Sequence, residues 1–276
     1  MLTRTISGAC YVAIVVAFFL LRQLTPYPQT FDILTWFICA YGTFEVARAL
    51  KAHSLKGSVA ISTVFGATFP PVYVVAQYFL PKLGVIIAID YMVLFAIVYA
   101  VYAIIKNQSV KTFGASVLSI FYPSVFILFM LIANGIAGDK GFYAMLLIYV
   151  ISPLTDTMAY LIGRAIGKHK LCPKVSPNKT IEGAIGGLLG GAIGGVLVWL
   201  IFNPVVNFFS PVLLFILVGI FASVLNQAGD LFESYIKRRV GLKDMGKIMP
   251  GHGGVMDRVD GMLFASVLIC VVFLLV

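Results

Sequence analysis

The chain has 276 residues, 61% of them hydrophobic and only 11% charged, with a mean hydropathy of +1.01. A soluble domain carries about 25% charged residues, so the composition excludes an ordinary globular enzyme and predicts an all-α polytopic membrane protein. The net charge of +9 does not point to nucleic acid, because in a membrane protein basic charge first marks cytoplasmic loops.

Apolar runs near the roughly 20 residues that cross a bilayer recur from end to end. They predict nine spans, at 9–24, 31–50, 59–80, 83–105, 113–137, 142–163, 181–202, 211–233 and 257–276. The first run follows Arg4 and resembles a signal peptide, but no small-x-small cleavage site follows it and more spans do, so a retained first span is expected. The N-terminus and the even-numbered loops hold 17 of the 20 Lys and Arg, while the odd-numbered loops hold Arg22, Lys82 and Lys140. By the positive-inside rule the N-terminus and even loops are cytoplasmic and the C-terminus is outside. Seven of the 11 acids fall in the last 126 residues. Residues 1–140 therefore read as scaffold. Residues 141–276 read as the catalytic region, with cytoplasmic loops 164–180 and 234–256. Cys10, Cys39 and Cys270 lie in apolar runs and Cys172 in a basic loop, with no spacing that suggests zinc or a disulfide framework.

Span two carries a Glu45/Arg48 pair, expected to be structural or a rim contact. Span four carries Asp90 near the outer face without a visible partner. Span six carries Asp156 well inside it, either a second-site ligand or a buried acid satisfied by a neighbour. In the loop that follows, Lys179 and Thr180 stand where a triphosphate could be held near the start of span seven. The alternative for Ser176 to Glu182 is a helix cap with an acid in its first turn. No P-loop is present. Span seven has Gly183, Gly186, Gly187, Gly190, Gly191, Gly194 and Gly195, interlocking small-xxx-small patterns that favour close helix packing. That packing serves equally within one chain or across a homodimer.

Span eight carries a polar stripe of Ser223, Asn226, Gln227, Asp230, Ser234 and Lys237, spaced so that they share one helix face. Lipid cannot satisfy such a stripe, so it must face protein or water. The alternative is a solvated helix end with a Glu233–Lys237 i,i+4 pair. Asp230 is the hardest member to dismiss, since an acid at the edge of a span is costly and usually functional.

The stretch Ser234 to Asp260 packs seven Lys, Arg and His side chains and three Asp into 27 residues. Its Pro250–Gly254 turn can bring backbone close to a ligand, and the next helix would present free amides to an anion. Asp257 and Asp260 share one face of that helix's first turn. They are either helix-start acids set against the macrodipole or, together with Asp230, ligands whose hard oxygens suit Mg²⁺. Lys237, Arg238, Lys243 and Arg258 are phosphate-binding candidates. For Arg239 and Lys247 topology signalling is the preferred reading. His252 is left open between a base, a phosphate donor and a loop hydrogen-bond partner.

The run Ser234-x-Ile236-Lys237-Arg238, Lys243-Asp244-x-Gly246, Pro250-x-His252-Gly253-Gly254-Val255-x-Asp257-Arg258-Val259-Asp260 resembles the signature of the phosphatidate cytidylyltransferases, the CDP-diacylglycerol synthases. Asp156-Thr157, Ser176-Pro177-x-Lys179-Thr180-x-Glu182-Gly183 and Gln227-x-Gly229-Asp230 resemble the family's other blocks, in order. The resemblance covers about residues 150–265; the first 140 match only as apolar spans. Met158 and Met249 depart modestly from the family's usual residues.

The resemblance implies the reaction of CTP with phosphatidate to give CDP-diacylglycerol and pyrophosphate. It implies a divalent metal centre on Asp230, Asp257 and Asp260, Mg²⁺ by donor type, with a second monovalent or divalent cation left open. Lys179, Lys237, Arg238, Lys243 and Arg258 would neutralise phosphates, Lys237 at the reacting centre. Ser176, Thr180, His252 and Asp156 stand with them on the substrate side. The expected setting is a bacterial-type inner (plasma) membrane, with the site facing the cytoplasm and CTP, phosphatidate and membrane lipid as partners. The rivals are a CTP-dependent lipid kinase, a CDP-ether-lipid synthase and, from another class, an ion-coupled transporter using Asp156 and Asp230.

Overall fold

The computed structural model describes residues 2–52, 58–202, 212–251 and 253–276. Among the described residues, nine helices are long and apolar enough to cross a membrane. They are α1 (Leu2–Leu24), α2 (Asp32–Ala52), α3 (Val59–Phe79), α4 (Gly84–Ile105), α5 (Val110–Asn134), α6 (Asp139–Ile166), α7 (Ile181–Phe202), α8 (Val212–Arg239) and α9 (Met256–Leu275). Each answers to a span predicted from hydropathy. At the start of α5 a cap overrides the apolar count. Ser109 Oγ accepts the Thr112 amide at 3.2 Å and starts α5 three residues before the predicted edge. Ser58 Oγ accepts from Ile61 at the head of α3. Helix α8 continues past the predicted edge at 233 to Arg239.

Among the described residues, the paired strands form a small hairpin. Strand β1 (Lys170–Cys172) pairs antiparallel with β2 (Ser176–Thr180), Lys170 opposite Thr180 and Cys172 opposite Ser176. Its turn has Pro173 in second position, and the Val175 amide donates to Cys172 O at 3.1 Å, the arrangement in which proline's fixed φ favours a β-turn.

The chain divides into two compact units, Met1–Leu131 with Arg239–Arg258, and Ile132–Arg238 with Val259–Val276. In the first, α2 packs on α3 and α3 on α4. Phe65 stacks with Phe69 and Tyr91, and Ser62 Oγ bonds both Tyr99 and Ser119 at 2.7 Å. On α4, Ile86, Ile89, Val93, Leu94 and Ile97 stay exposed, an apolar face suited to hydrocarbon.

In the second unit the glycine ridge of α7 is taken up by packing within the chain. A Cβ at Gly183 would lie 2.7 Å from Ala159 O on α6, and one at Gly191 would strike Gly219 O on α8. Ser223 Oγ donates to Gly187 O at 2.8 Å across the same seam. Gly191→Val is therefore expected to destabilise the protein by about 3 kcal/mol, the upper end for overpacking. The check is the thermal midpoint in detergent; an unchanged midpoint would rule out the close approach.

Candidate active site

The polar stripe of α8 faces α6, α7 and α9. Asn226 and Glu233 are 0% exposed and Lys237 8%, so a solvated helix end is excluded. Asn226 Nδ2 donates to Asp156 Oδ1 at 3.0 Å, which satisfies the acid placed inside span six. Gln227 Nε2 donates to Ala184 O. Asp230 Oδ1 accepts from Ser234 Oγ at 3.3 Å, and its Oδ2 meets Lys179 Nζ at 2.5 Å. Helix α9 closes against α8 because Gly229 has no side chain: a Cβ there would lie 2.5 Å from Asp260 O.

Asp260 accepts the Gly261 amide at 2.8 Å and lies beside Glu233, within the field of Asp230 and Lys237. Asp156 senses Asp230, Asp260 and Lys179. Four acids from three helices thus form one electrostatic cluster, with Lys179 and Lys237 as the cations set against Asp230 and Glu233. Glu233 was not expected here. It does pair with Lys237 at 3.5 Å, but in the interior rather than in solvent. Its signal was its place in the series 226, 230, 233, 237, which falls on one face.

The hairpin delivers Lys179 to this cluster. It is tied down by Arg238, whose Nε donates to Val175 O at 3.3 Å. Thr180 Oγ1 accepts the Gly183 amide at 3.1 Å and so caps α7. Glu182 accepts the amides of Lys168 and His169 and meets His169 Nδ1 at 2.6 Å. The helix-cap reading thus describes the bonds of Thr180 and Glu182, while Ser176 is a strand residue opposite Cys172.

The other predicted residues lie in the first unit, on the segment that ends at Arg258. Met249 and Gly253 exchange backbone bonds of 2.9 and 3.1 Å. Gly251 and Gly253 have φ of 78° and 88°, a region that side chains disfavour. The Asp257 carboxylate accepts Met245 N at 2.9 Å and Gly254 N at 2.7 Å. Glu45, on α2, accepts Met256 N at 2.9 Å. Lys243, Asp244, Lys247 and Arg258 line a cavity of about 630 Å³ walled by Gly246, Gly251 and Gly253. Lys247, assigned from sequence to topology alone, is part of that lining. His252 lies outside the described residues.

Among the described residues no three His, Cys, Asp or Glu side chains are arranged to close on one ion. The donor chemistry nonetheless fits Mg²⁺, which takes hard oxygens, often one or two carboxylates, and fills the rest of its shell with water and substrate phosphates. Asp230 and Asp260 are the carboxylates of the cluster that suit this role.

Long apolar helices with an interior cluster of acids and lysines define a polytopic membrane protein with a polar site. Residues 2–276 match the model of the cytidylyltransferase family, and the chain belongs to that family. It is similar to the phosphatidate cytidylyltransferases of Staphylococcus epidermidis and Staphylococcus haemolyticus, each 44% identical, and of Staphylococcus aureus, 43% identical. Each similarity runs over 126 residues, 46% of this chain and 47% of the relative. The chain thus spans about half the length of the curated relatives it matches.

Proposed function

We propose that the protein is a membrane nucleotidyltransferase that converts CTP and phosphatidate to CDP-diacylglycerol and pyrophosphate. The observation that carries this reading is the interior cluster of Asp156, Asp230, Glu233 and Asp260 with Lys179 and Lys237, in a chain of the cytidylyltransferase family. The distribution of basic residues supports a site at the cytoplasmic face of a bacterial plasma membrane, where one substrate arrives from water and the other from lipid.

In the reaction a phosphatidate oxygen attacks the α-phosphorus of CTP. The new P–O bond forms as the bond to the β-phosphate bridge breaks, and pyrophosphate leaves with that electron pair. Such a transfer needs alignment and charge neutralisation more than covalent help. Lys179, already in ion-pair contact with Asp230, is positioned to turn to a phosphate oxygen. Lys237 supplies a second ammonium from a largely buried position. Lys243 and Arg258 are further cationic donors, in the glycine-walled cavity of the first unit, suited to phosphate oxygens. Asp230 and Asp260 would hold Mg²⁺, which when bound neutralises phosphate oxygens.

The test is to supply purified protein with CTP, Mg²⁺ and phosphatidate. CDP-diacylglycerol and pyrophosphate are expected in equal amounts. CDP with a newly phosphorylated lipid would instead make the protein a kinase. Solute counterflow in proteoliposomes without pyrophosphate would make it a transporter. Either result overturns the proposal.

A further inference from the structure

We propose that Glu45, far from the signature residues in sequence, is a positioning residue for the basic loop. Its carboxylate holds the first turn of α9 and thereby sets Arg258 and Lys243 around their cavity. The inference deepens the nucleotidyltransferase reading and rests on it for the identity of the ligand, CTP.

A helix begins with amides that have no partner inside it, and a side chain just ahead of the first turn normally accepts one of them. Ahead of Met256 stand Gly254 and Val255, neither of which has an acceptor side chain. The acceptor comes from 211 residues away, as Glu45 Oε2 receives Met256 N at 2.9 Å. Glu45 is 2% exposed on an apolar helix, a costly place for a carboxylate unless its bonds are needed.

The surroundings are shaped to this carboxylate. A side chain on Gly246 or on Gly254 would collide with it, and one turn earlier a Cβ on Gly42 would come within 2.8 Å of Met256 Sδ. Three consecutive residues then act in series. Met256 is held by Glu45, Asp257 clasps Met245 N and Gly254 N, and Arg258 lines the cavity. Glu45 is buried behind Gly246 and Gly254, so it acts through the loop and not on the reacting atoms.

The test compares Glu45→Ala, Glu45→Asp and Glu45→Gln in the full chain, in lipid nanodiscs. The readouts are CTP and phosphatidate kinetics and the rate of tryptic cleavage at Lys243, Lys247 and Arg258. Loss of a charge-assisted bond predicts about a tenfold rise in KM for CTP in Glu45→Ala, with KM for phosphatidate within about twofold and loop cleavage about fivefold faster. Glu45→Gln keeps an acceptor at the same reach and is expected to recover to within about threefold of the parent, while Glu45→Asp keeps charge but not reach and stays impaired. Wild-type CTP kinetics and cleavage in Glu45→Ala would overturn the proposal. Should Glu45→Ala not fold, the other two decide: an impaired Glu45→Gln beside a healthy Glu45→Asp would mean that charge, not reach, is what the site uses. Were the parent to form no CDP-lipid, the functional reading would fail, while the cleavage rates would still decide the role of Glu45.

Discussion

Asp260→Asn is expected to lower CDP-diacylglycerol formation about 10³-fold, the scale of losing one preorganised electrostatic contact to the transition state, with the protein still folded. The replacement is isosteric and keeps an oxygen to accept the Gly261 amide, now 2.8 Å away. It removes one negative charge from a cluster that also holds Asp156, Asp230 and Glu233, so stability should hold or rise. A folded, inactive variant would then trace the defect to the missing anionic oxygen. Mg²⁺ titration sharpens the test, because a ligand variant should require more metal for its residual activity. Asp257→Asn provides the contrast. Its carboxylate is engaged by the amides of Met245 and Gly254, so a clasp variant should change loop cleavage and CTP affinity without changing metal demand. An equally raised metal demand in both variants would make Asp257 a ligand as well. Full activity in Asp260→Asn would remove Asp260 from the metal site.

The spans were legible because hydropathy over about 20 residues is a long-window signal, and the α8 stripe because helical spacing puts 223, 226, 230 and 237 on one face. Spacing tells which residues share a face but not what that face meets. That is why Asn226 could be expected to face protein while its partner Asp156 could not be named. The same limit hid Glu233, whose i,i+4 partner Lys237 was visible but whose contact with Asp260 comes from another helix. The hairpin at 170–180 escaped because its strands are only three and five residues long, too short for hydropathy or alternation to mark them; Pro173 was the available clue. Glu45 was read as structural or rim for a similar reason. Its role depends on Met256, and no local pattern links residues 211 apart. The glycines of α7 were legible as a packing surface, yet only the fold assigns that surface to α6 and α8 of the same chain.

Lys237→Met should affect both stability and turnover, and separating the two identifies what the lysine does. Its ammonium lies 3.5 Å from Glu233 Oε2, and the Glu233 side chain is 0% exposed. Removing one partner of such a buried pair leaves an uncompensated charge and costs about 3 kcal/mol or more, here aggravated by the neighbouring Asp260. The detergent denaturation midpoint should fall and activity should be lost. Adding Glu233→Gln removes the stranded charge, and replacing both members of a buried pair is often close to neutral. The double variant is therefore expected to regain most of the lost stability. Turnover should nonetheless stay at least about 10²-fold down, because a methionine neutralises no phosphate. If the double variant also recovers turnover, Lys237 serves only to balance Glu233, and neutralising the reacting phosphates falls to Lys179 and the loop cations. If the single variant loses activity without losing stability, the lysine acts on the phosphates alone and its contact with Glu233 contributes little to the fold.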